Sequence, residues 1–468
     1  MSRSRRGPPC AGRWNGDCNG RGPMNQSSVR HVFVMGPDPV HASSLEAIAA
    51  TDPSLRIHGL LSLDEVVHFD ALQMDRILGH AEKELREHEE SGERVDAVIA
   101  QWDFPTSLLV PRLCARRGLR SPALDSVVRC AHKYWSRVAQ MESIPEYTPR
   151  YALVDPFAED AHVIDLDFPF WLKPVVGFSS QLGFRIDSPN DMDDALAEIR
   201  AKIERLAAPF DELLERVGVS EDLRALSGRM CLAEEYLGGI ELAHEGHVQN
   251  GEVHLHGTLE MIREDETFTR FIWPSEQPQG VFDRMADATT RFLKHIGFDD
   301  GCFNAEYFWD PETDRLSVIE FNPRMSQSHA PLAERTDGCS NHQIAVDVAL
   351  GQTPRFQPGA GEHARSAKFL VRTKKDGRVL KTPTEEEMKA LHDRFPSATI
   401  SICCKEGEQL GELVDQDAYT YKVAEVFLGG ASQEDMLATY AEVVKALPYE
   451  IEGVDLSEDT VGNRESAR

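Results

Sequence analysis

At 468 residues the chain is too long for one compact core, and a composition of 41% hydrophobic and 27% charged residues is that of a globular protein with two to four domains or subdomains. The net charge of −28 is spread along the chain rather than massed in a tail, which argues against a general nucleic-acid grip and for a solvated acidic surface. No apolar run reaches membrane-span length, and the nine scattered cysteines lack CxxC spacing, so membrane proteins and disulfide scaffolds are excluded and reduced thiols of a cytoplasmic protein are expected.

Residues 1–28 carry five arginines against one aspartate, with many Gly and Pro and no apolar period. They read as a disordered tail, without the apolar stretch of a signal peptide, and Met24 marks an alternative start. From 29 to 125 strand and helix alternate: "VRHVFVMG", "LRIHGLLS", a long helix at about 71–91, "VDAVIAQWD", then a helix at about 105–117. Parallel strands need helical crossovers, so this is a small parallel α/β domain. Its first strand ends in "MGPDP" and not GxGxxG, which removes the dinucleotide fingerprint.

A helix-led segment opens the next unit, 126–355. After it come strand, loop and strand in "FPFWLKPVVGFSSQLGFRI", an amphipathic helical stretch at 190–226, and antiparallel strands broken by Gly and Asn-Gly turns in "MCLAEEYLGGIELAHEGHVQNGEVHLHGTLEMI". A helix near 279–296 precedes a hairpin, "CFNAEYFWDPETDRLSVIEFNPR". Beyond the Pro/Gly-rich "PRFQPGAGEH", a unit at 365–452 is expected to begin with a hairpin at "KKDG", to continue through strands near 398–404 and 418–427, and to close on a helix near 432–446. Cys403 and Cys404 are placed in the first of these strands, and residues 453–468 form a tail.

The hairpin carries the chemistry. Alternation puts Glu320, Asn322 and Arg324 on one face and Ile319 and Phe321 on the other. Pairing across the "DPETDR" turn brings Glu306 to Glu320. Two adjacent carboxylates repel unless a cation or proton lies between them, and two carboxylates plus an amide oxygen form a ligand set suited to Mg2+. Arg324 beside them would face phosphate or carboxylate oxygens.

Other motifs fit a phosphorylated ligand. Lys173 at a strand end, followed by Gly177, Ser179, Ser180 and Gly183, offers a cation, hydroxyls and backbone N–H groups, although a plain β-turn with a surface lysine has the same pattern. In "CLAEEYLGGIE" an acid before a connecting segment can accept from an adenine amino group and a later acid can bind ribose, whereas two strands with solvated acids would read alike. His244, His247, His254 and His256 are not HExxH, and are expected to line or flank a cleft rather than to bind zinc. Taken alone, Lys133 would be a helix-surface lysine.

In order, "HKYWSRVAQMESIPEYTPRY", "FWLKPVVGFSSQLG", "LAEEYLGGIE", "FNAEYF" and "VIEFNPR" resemble the ATP-grasp superfamily, which includes D-alanine-D-alanine ligase, biotin carboxylase, L-amino acid ligases and carnosine synthase. The resemblance spans about 29–350, and the unit at 365–452 is similar to the small C-terminal domain of L-amino acid ligases. It implies an α/β and α+β protein with the ATP-grasp fold: a pre-ATP-grasp α/β domain in front, a nucleotide-binding lid subdomain at about 168–236, and a C-terminal α+β domain. Lys133 and Lys173 match the lysines that touch ATP phosphates, with Ser179 and Ser180 on the loop between. Glu234 and Leu237 match the adenine hinge, Glu241 the ribose acid, and Ile319 the adenine floor. Glu306, Glu320 and Asn322 match the Mg2+ (or Mn2+) ligands, and Arg324, with Lys173, the catalytic positions beside the transferring phosphoryl group. Glycine usually follows the loop lysine by nine residues, but Leu182 stands there and glycine comes one later, at Gly183.

The implied activity is ATP-dependent ligation of a small carboxylate, such as an amino acid, to an amine through an acyl phosphate. The 177–183 loop would close over it, and His329 and the 264–277 stretch would border the substrates. Carboxylate and amine small molecules are the implied partners, and a homodimer is left open. The alternatives are a biotin-carboxylase-like or purine-type carboxylase, against which no AMKM biotin-attachment sequence is present, and a non-catalytic nucleotide-binding regulator.

Overall fold

The computed structural model describes residues 29–38, 41–67, 74–177, 182–264, 267–413, 416 and 419–462. The expected tail at 1–28, with Cys10 and Cys18, and the loop serines Ser179 and Ser180 lie outside the described residues.

Strands β1 (Arg30–Met35), β2 (Leu55–Leu60) and β3 (Ala97–Ala100) form a parallel sheet in the order β2-β1-β3. Val32, Phe33, Val34 and Met35 are all buried, as expected for a strand covered on both faces by crossover helices. The helix Met74–Glu90 covers one face. Its buried Met74, Ile77, Ala81 and Leu85 recur at three- and four-residue spacing, while the residues between them carry charge to solvent.

Strands β4 (Tyr151–Val154), β5 (Phe170–Pro174), β6 (Phe184–Ile186) and β7 (Cys231–Glu235) form an antiparallel sheet in the order β4-β7-β5-β6. The helical stretch between β6 and β7 is three helices, Pro189–Lys202, Glu204–Val217 and Glu221–Arg224, rather than one run. Ser188 caps the first by accepting from Asp191 N, and Gly218 at φ +83° ends the second.

The largest sheet joins β8 (Ile240–Gln249), β9 (Glu252–Glu264), β10 (Thr267–Trp273), β11 (Gly301–Asp310) and β12 (Arg315–Asn322) to strands from the last unit. Those are β13 (Arg365–Thr373), β15 (Ala398–Ile402) and β16 (Tyr421–Gly430), separated by the short β14 (Val379–Lys381) and followed by β17 (Glu450–Ile451). The order is β12-β11-β8-β9-β10-β13-β16-β15, eight strands in one sheet, so the C-terminal strands extend the sheet that carries the acidic hairpin.

Two local expectations are corrected, the "KKDG" hairpin and the strand placement of Cys403 and Cys404. The "KKDG" stretch is not a hairpin turn, because β13 pairs with β10 and β16 while β14 pairs with β17. Asp376 turns the chain aside there by accepting from Gly377 N and Gly411 N. The 264–277 stretch contains strand β10, whose Phe271 and Trp273 are buried. Cys403 and Cys404 lie just past the end of β15.

Candidate active site

The acid pair is built by the β11–β12 hairpin. Asp310 closes the turn, accepting from Glu312 N at 2.9 Å and Thr313 Oγ1 at 2.6 Å, and Asp314 takes the left-handed conformation at φ +54°. In the resulting register Asn304 faces Asn322 and Glu306 faces Glu320. The register then slips: Tyr307 pairs with Val318, leaving Ile319 as the extra residue of a bulge. Simple alternation would put Ile319 beside Phe321, which is buried and stacked on Phe292 with centroids 4.0 Å apart. The bulge takes Ile319 out of that alternation and leaves it half-buried next to Glu320.

Asn322 Nδ2 donates to Glu306 Oε1 and Glu320 Oε1, each at 3.3 Å, and to Asn304 Oδ1 at 3.0 Å. Desolvation, then the charges of Glu320 and Glu241, push the Glu306 carboxyl well above its usual range. The donor set fits a hard divalent cation, since two carboxylates that repel each other converge with an amide. The amide presents nitrogen to the carboxylates, and a half-turn of its terminal torsion presents oxygen instead.

Cations stand beside the acid pair. Lys133 begins the helix Lys133–Ser143; its Nζ donates to Gly177 O at 2.8 Å and stands 3.9 Å from Glu320 Oε2. Burial lowers its pKa, Glu320 opposes that shift, and nearby Lys173 adds to it. Lys173 projects from β5 to Glu234 Oε2 at 2.5 Å. Arg137 Nε takes the other oxygen at 2.5 Å while its Nη2 donates to Ile319 O at 2.8 Å. Burial alone would raise the Glu234 pKa, but Arg137 and Lys173 outweigh it and hold the carboxyl down at about 2. The side chain of Glu234 is thus turned to these two cations.

Glu241 is buried on β8 with Arg263 Nε 2.6 Å from its Oε2, one pleat from the register position of Glu306. Arg324 follows β12, and its guanidinium grips Asp103 Oδ2 from Nη2 at 2.8 Å and Nε at 3.1 Å. Asp103 was missed in the sequence. It lies just past the carboxyl end of β3, where parallel α/β sheets expose loops to ligands, and that position was the available signal. Arg137 was missed too, although it lies one helical turn after Lys133.

A further buried acid, also unforeseen, is Glu245. Glu245 accepts from Asn304 Nδ2 at 3.0 Å and Ser326 N at 3.2 Å, and pairs with His329 Nδ1 at 2.7 Å. Farther along the sheet Lys368 Nζ meets Ser328 Oγ and Glu425 Oε1, both at 3.0 Å. The histidines of β8 and β9 have other partners. His244 is buried against Thr289 Oγ1 at 2.7 Å, so it belongs to the core and not to a cleft. His247 Nδ1 meets His256 Nε2 at 2.7 Å, and burial lowers these imidazoles to about 4 and about 3.

Residues 166–331 match the ATP-grasp domain family. Carbamoyl phosphate synthase large chain from Xylella fastidiosa is 42% identical over 72 residues, and that from Thermotoga maritima 40% over 72 residues. These stretches are 15% of this chain and only 7% and 6% of those proteins. Among solved structures, an L-amino acid ligase from Bacillus licheniformis superposes with a TM-score of 0.69 at 16% identity, over 90% of this chain and 98% of that one. A biotin carboxylase from Campylobacter jejuni gives 0.60 at 12% identity, over 92% and 93%. Carboxyaminoimidazole ribonucleotide synthase from Aspergillus clavatus, complexed with ATP, gives 0.61 at 15% identity, over 90% and 98%. No helix among the described residues is long and apolar enough to cross a membrane. The acid pair and the lysine-bearing strand both fall inside the matched segment, and the chain has the ATP-grasp fold with an ATP-grasp domain at residues 166–331.

Proposed function

We propose that the protein is an ATP-dependent carboxylate-amine ligase that activates a small carboxylate, an amino acid, as an acyl phosphate and transfers the acyl group to an amine, releasing ADP and phosphate. The observation that carries this reading is the facing pair Glu306 and Glu320 beside Lys133 and Arg324, with Lys173 next to Lys133. Glu306, Glu320 and Asn322 would hold Mg2+ or Mn2+, which when bound supplies neutralisation of phosphate charge.

The chain's own residues do the rest by position and charge. Lys133 and Lys173 bind phosphate oxygens, and Glu234 with Arg137 aims Lys173. Arg324, oriented by Asp103, meets charge on the phosphoryl group as it moves. Leu237 and the half-buried Ile319 border the base, with Glu241 toward the ribose. A protein nucleophile is not required, and these thiols among the described residues are poorly suited to be one: burial pushes Cys339 and Cys403 up to about 11 and Cys114 and Cys231 up to about 12. An acyl phosphate hydrolyses if water reaches it, so the reacting atoms must be kept from water while the intermediate lasts.

The amino-acid assignment is supported by likeness to the L-amino acid ligase along nearly the whole chain, including the C-terminal strands. The test is a screen of amino acid pairs for ADP and phosphate release, with mass spectrometry of the product. Release that needs both partners and yields their amide supports the proposal. Release that needs bicarbonate and no amino acid refutes it in favour of a carboxylase, and absence of turnover with every pair favours a regulator.

A further inference from the structure

Away from the ATP-grasp cleft, the small parallel sheet carries three histidines that the ligase chemistry does not use. His31 lies near the amino end of β1 and His58 on the neighbouring β2, paired in register with Phe33. His88 comes from the last turn of the helix Met74–Glu90 that covers this face. Each offers a ring nitrogen, and the three nitrogens all lie within 4.8 Å of one another. The ring centroids stand 5.2 Å apart for His31 and His58, 4.7 Å for His31 and His88, and 5.3 Å for His58 and His88.

Ordinary packing would leave each imidazole with partners for its nitrogens. Instead, His88 Nε2 is buried without a hydrogen-bond partner among the described residues, a costly arrangement. The single contact between rings, His31 Nδ1 to His58 Nε2 at 2.9 Å, uses one proton for two nitrogens. Two imidazole nitrogens on one tetrahedral zinc stand about 3.3 Å apart, given Zn–N bonds of about 2.05 Å, so this pair needs only a small opening. Glu93 Oε2 is 3.1 Å from His31 Nε2, placed as a carboxylate that orients a ligand imidazole through its second nitrogen. Phe33 packs on His58 at 4.8 Å and on His88 at 5.0 Å, closing the cluster with an apolar wall.

We propose that His31, His58 and His88 form a three-imidazole site for a borderline divalent cation of the zinc type, separate from the acid pair and tying the helix Met74–Glu90 to the sheet. Imidazole ligands select such ions over magnesium, which the all-oxygen set at Glu306 and Glu320 suits. The two sites are thereby chemically distinct, and this inference does not rest on the ligase reading. Asp103 leaves the carboxyl end of β3, whereas His31 lies near the amino end of the adjacent parallel strand, so the histidine site is remote from the cleft.

The test uses the full-length chain stripped with chelator and titrated with Co2+ alone, followed by visible absorption and calorimetry. One equivalent should bind with the d–d bands of nitrogen ligation at low coordination number. His58→Ala and His88→Ala should each weaken binding at least tenfold, and His254→Ala, in the other histidine group, should leave it unchanged. Failure of the unaltered chain to bind, or unchanged one-equivalent binding in both His58→Ala and His88→Ala, overturns the proposal. Should either variant fold poorly, the unaltered chain decides by itself: Zn2+ must raise its melting temperature in a concentration-dependent way with Mg2+ in excess, and no rise overturns the site.

Discussion

Arg324 and Asp103 are 221 positions apart, yet the guanidinium of one clasps a single carboxylate oxygen of the other through two nitrogens, at 2.8 and 3.1 Å. The contact ties the end of the acidic hairpin to the loop after β3, so the small parallel unit is fastened to the hairpin that carries the acid pair. Asp103→Ala is expected to leave the fold intact and to lower kcat about 10- to 100-fold, with little change in KM for ATP, because Arg324 loses its orientation. Arg324→Lys should do no better, since a point charge cannot replace the fork. Steady-state ADP formation measures both, and a wild-type kcat in Asp103→Ala would mean that the contact only holds the units together.

Glu234 carries a pH signature. Its carboxyl is held at about 2 against an ordinary value of 4.5, so the stability it contributes is fully present above about pH 4.5 and is lost as pH falls toward 2. Glu234→Gln leaves Arg137 and Lys173 without their buried counter-charge and should cost about 3–5 kcal/mol at pH 7. Urea unfolding should show the gap between wild type and variant closing as pH falls through that window. A gap independent of pH would contradict the assignment of the charge.

The opposite sign applies at Glu306. A carboxyl whose pKa is raised in the fold destabilises the metal-free protein once pH exceeds the ordinary value of 4.5. Glu306→Gln should therefore stabilise the metal-free chain at neutral pH, by roughly 0.5–2 kcal/mol, while abolishing ADP formation. Thermal melts in chelator at pH 5 and pH 8 check this, with the larger gain expected at pH 8. A loss of stability at both would contradict it.

Gly239 takes φ +111° in the β7–β8 connection, and a Cβ there would lie 2.4 Å from Trp309 O. Gly239→Ala is expected to cost about 1–3 kcal/mol, since backbone cannot step aside as a side chain can. It should also raise KM for ATP by displacing the hinge around Leu237. Differential scanning calorimetry and ADP kinetics would show the two effects together, and an unaltered KM would remove the connection from the nucleotide site.

Much of this arrangement was legible because it is local. The α/β alternation, the hairpin around "DPETDR" and the facing of Glu306 with Glu320 follow from strand periodicity and turn chemistry within short windows. What escaped was set by distant partners. Lys173 and Arg137 claim the carboxylate of Glu234 from another strand and from a helix, and Asp103 reaches Arg324 only through tertiary packing. The bulge at Ile319 changes which residues share a face, and no composition rule marks it. The pairing of β13 with β10 and β16 overrode a turn signal at "KKDG" for the same reason: sheet order is a long-range property.

The most direct test of the site is ADP release by Glu320→Gln over a wide range of Mg2+ concentrations, with circular dichroism to verify the fold. Loss of turnover at every concentration, in a chain that melts cooperatively, is the predicted result. Turnover equal to wild type would show that these facing carboxylates hold no ion against the triphosphate, and the ligase mechanism built on them would be wrong.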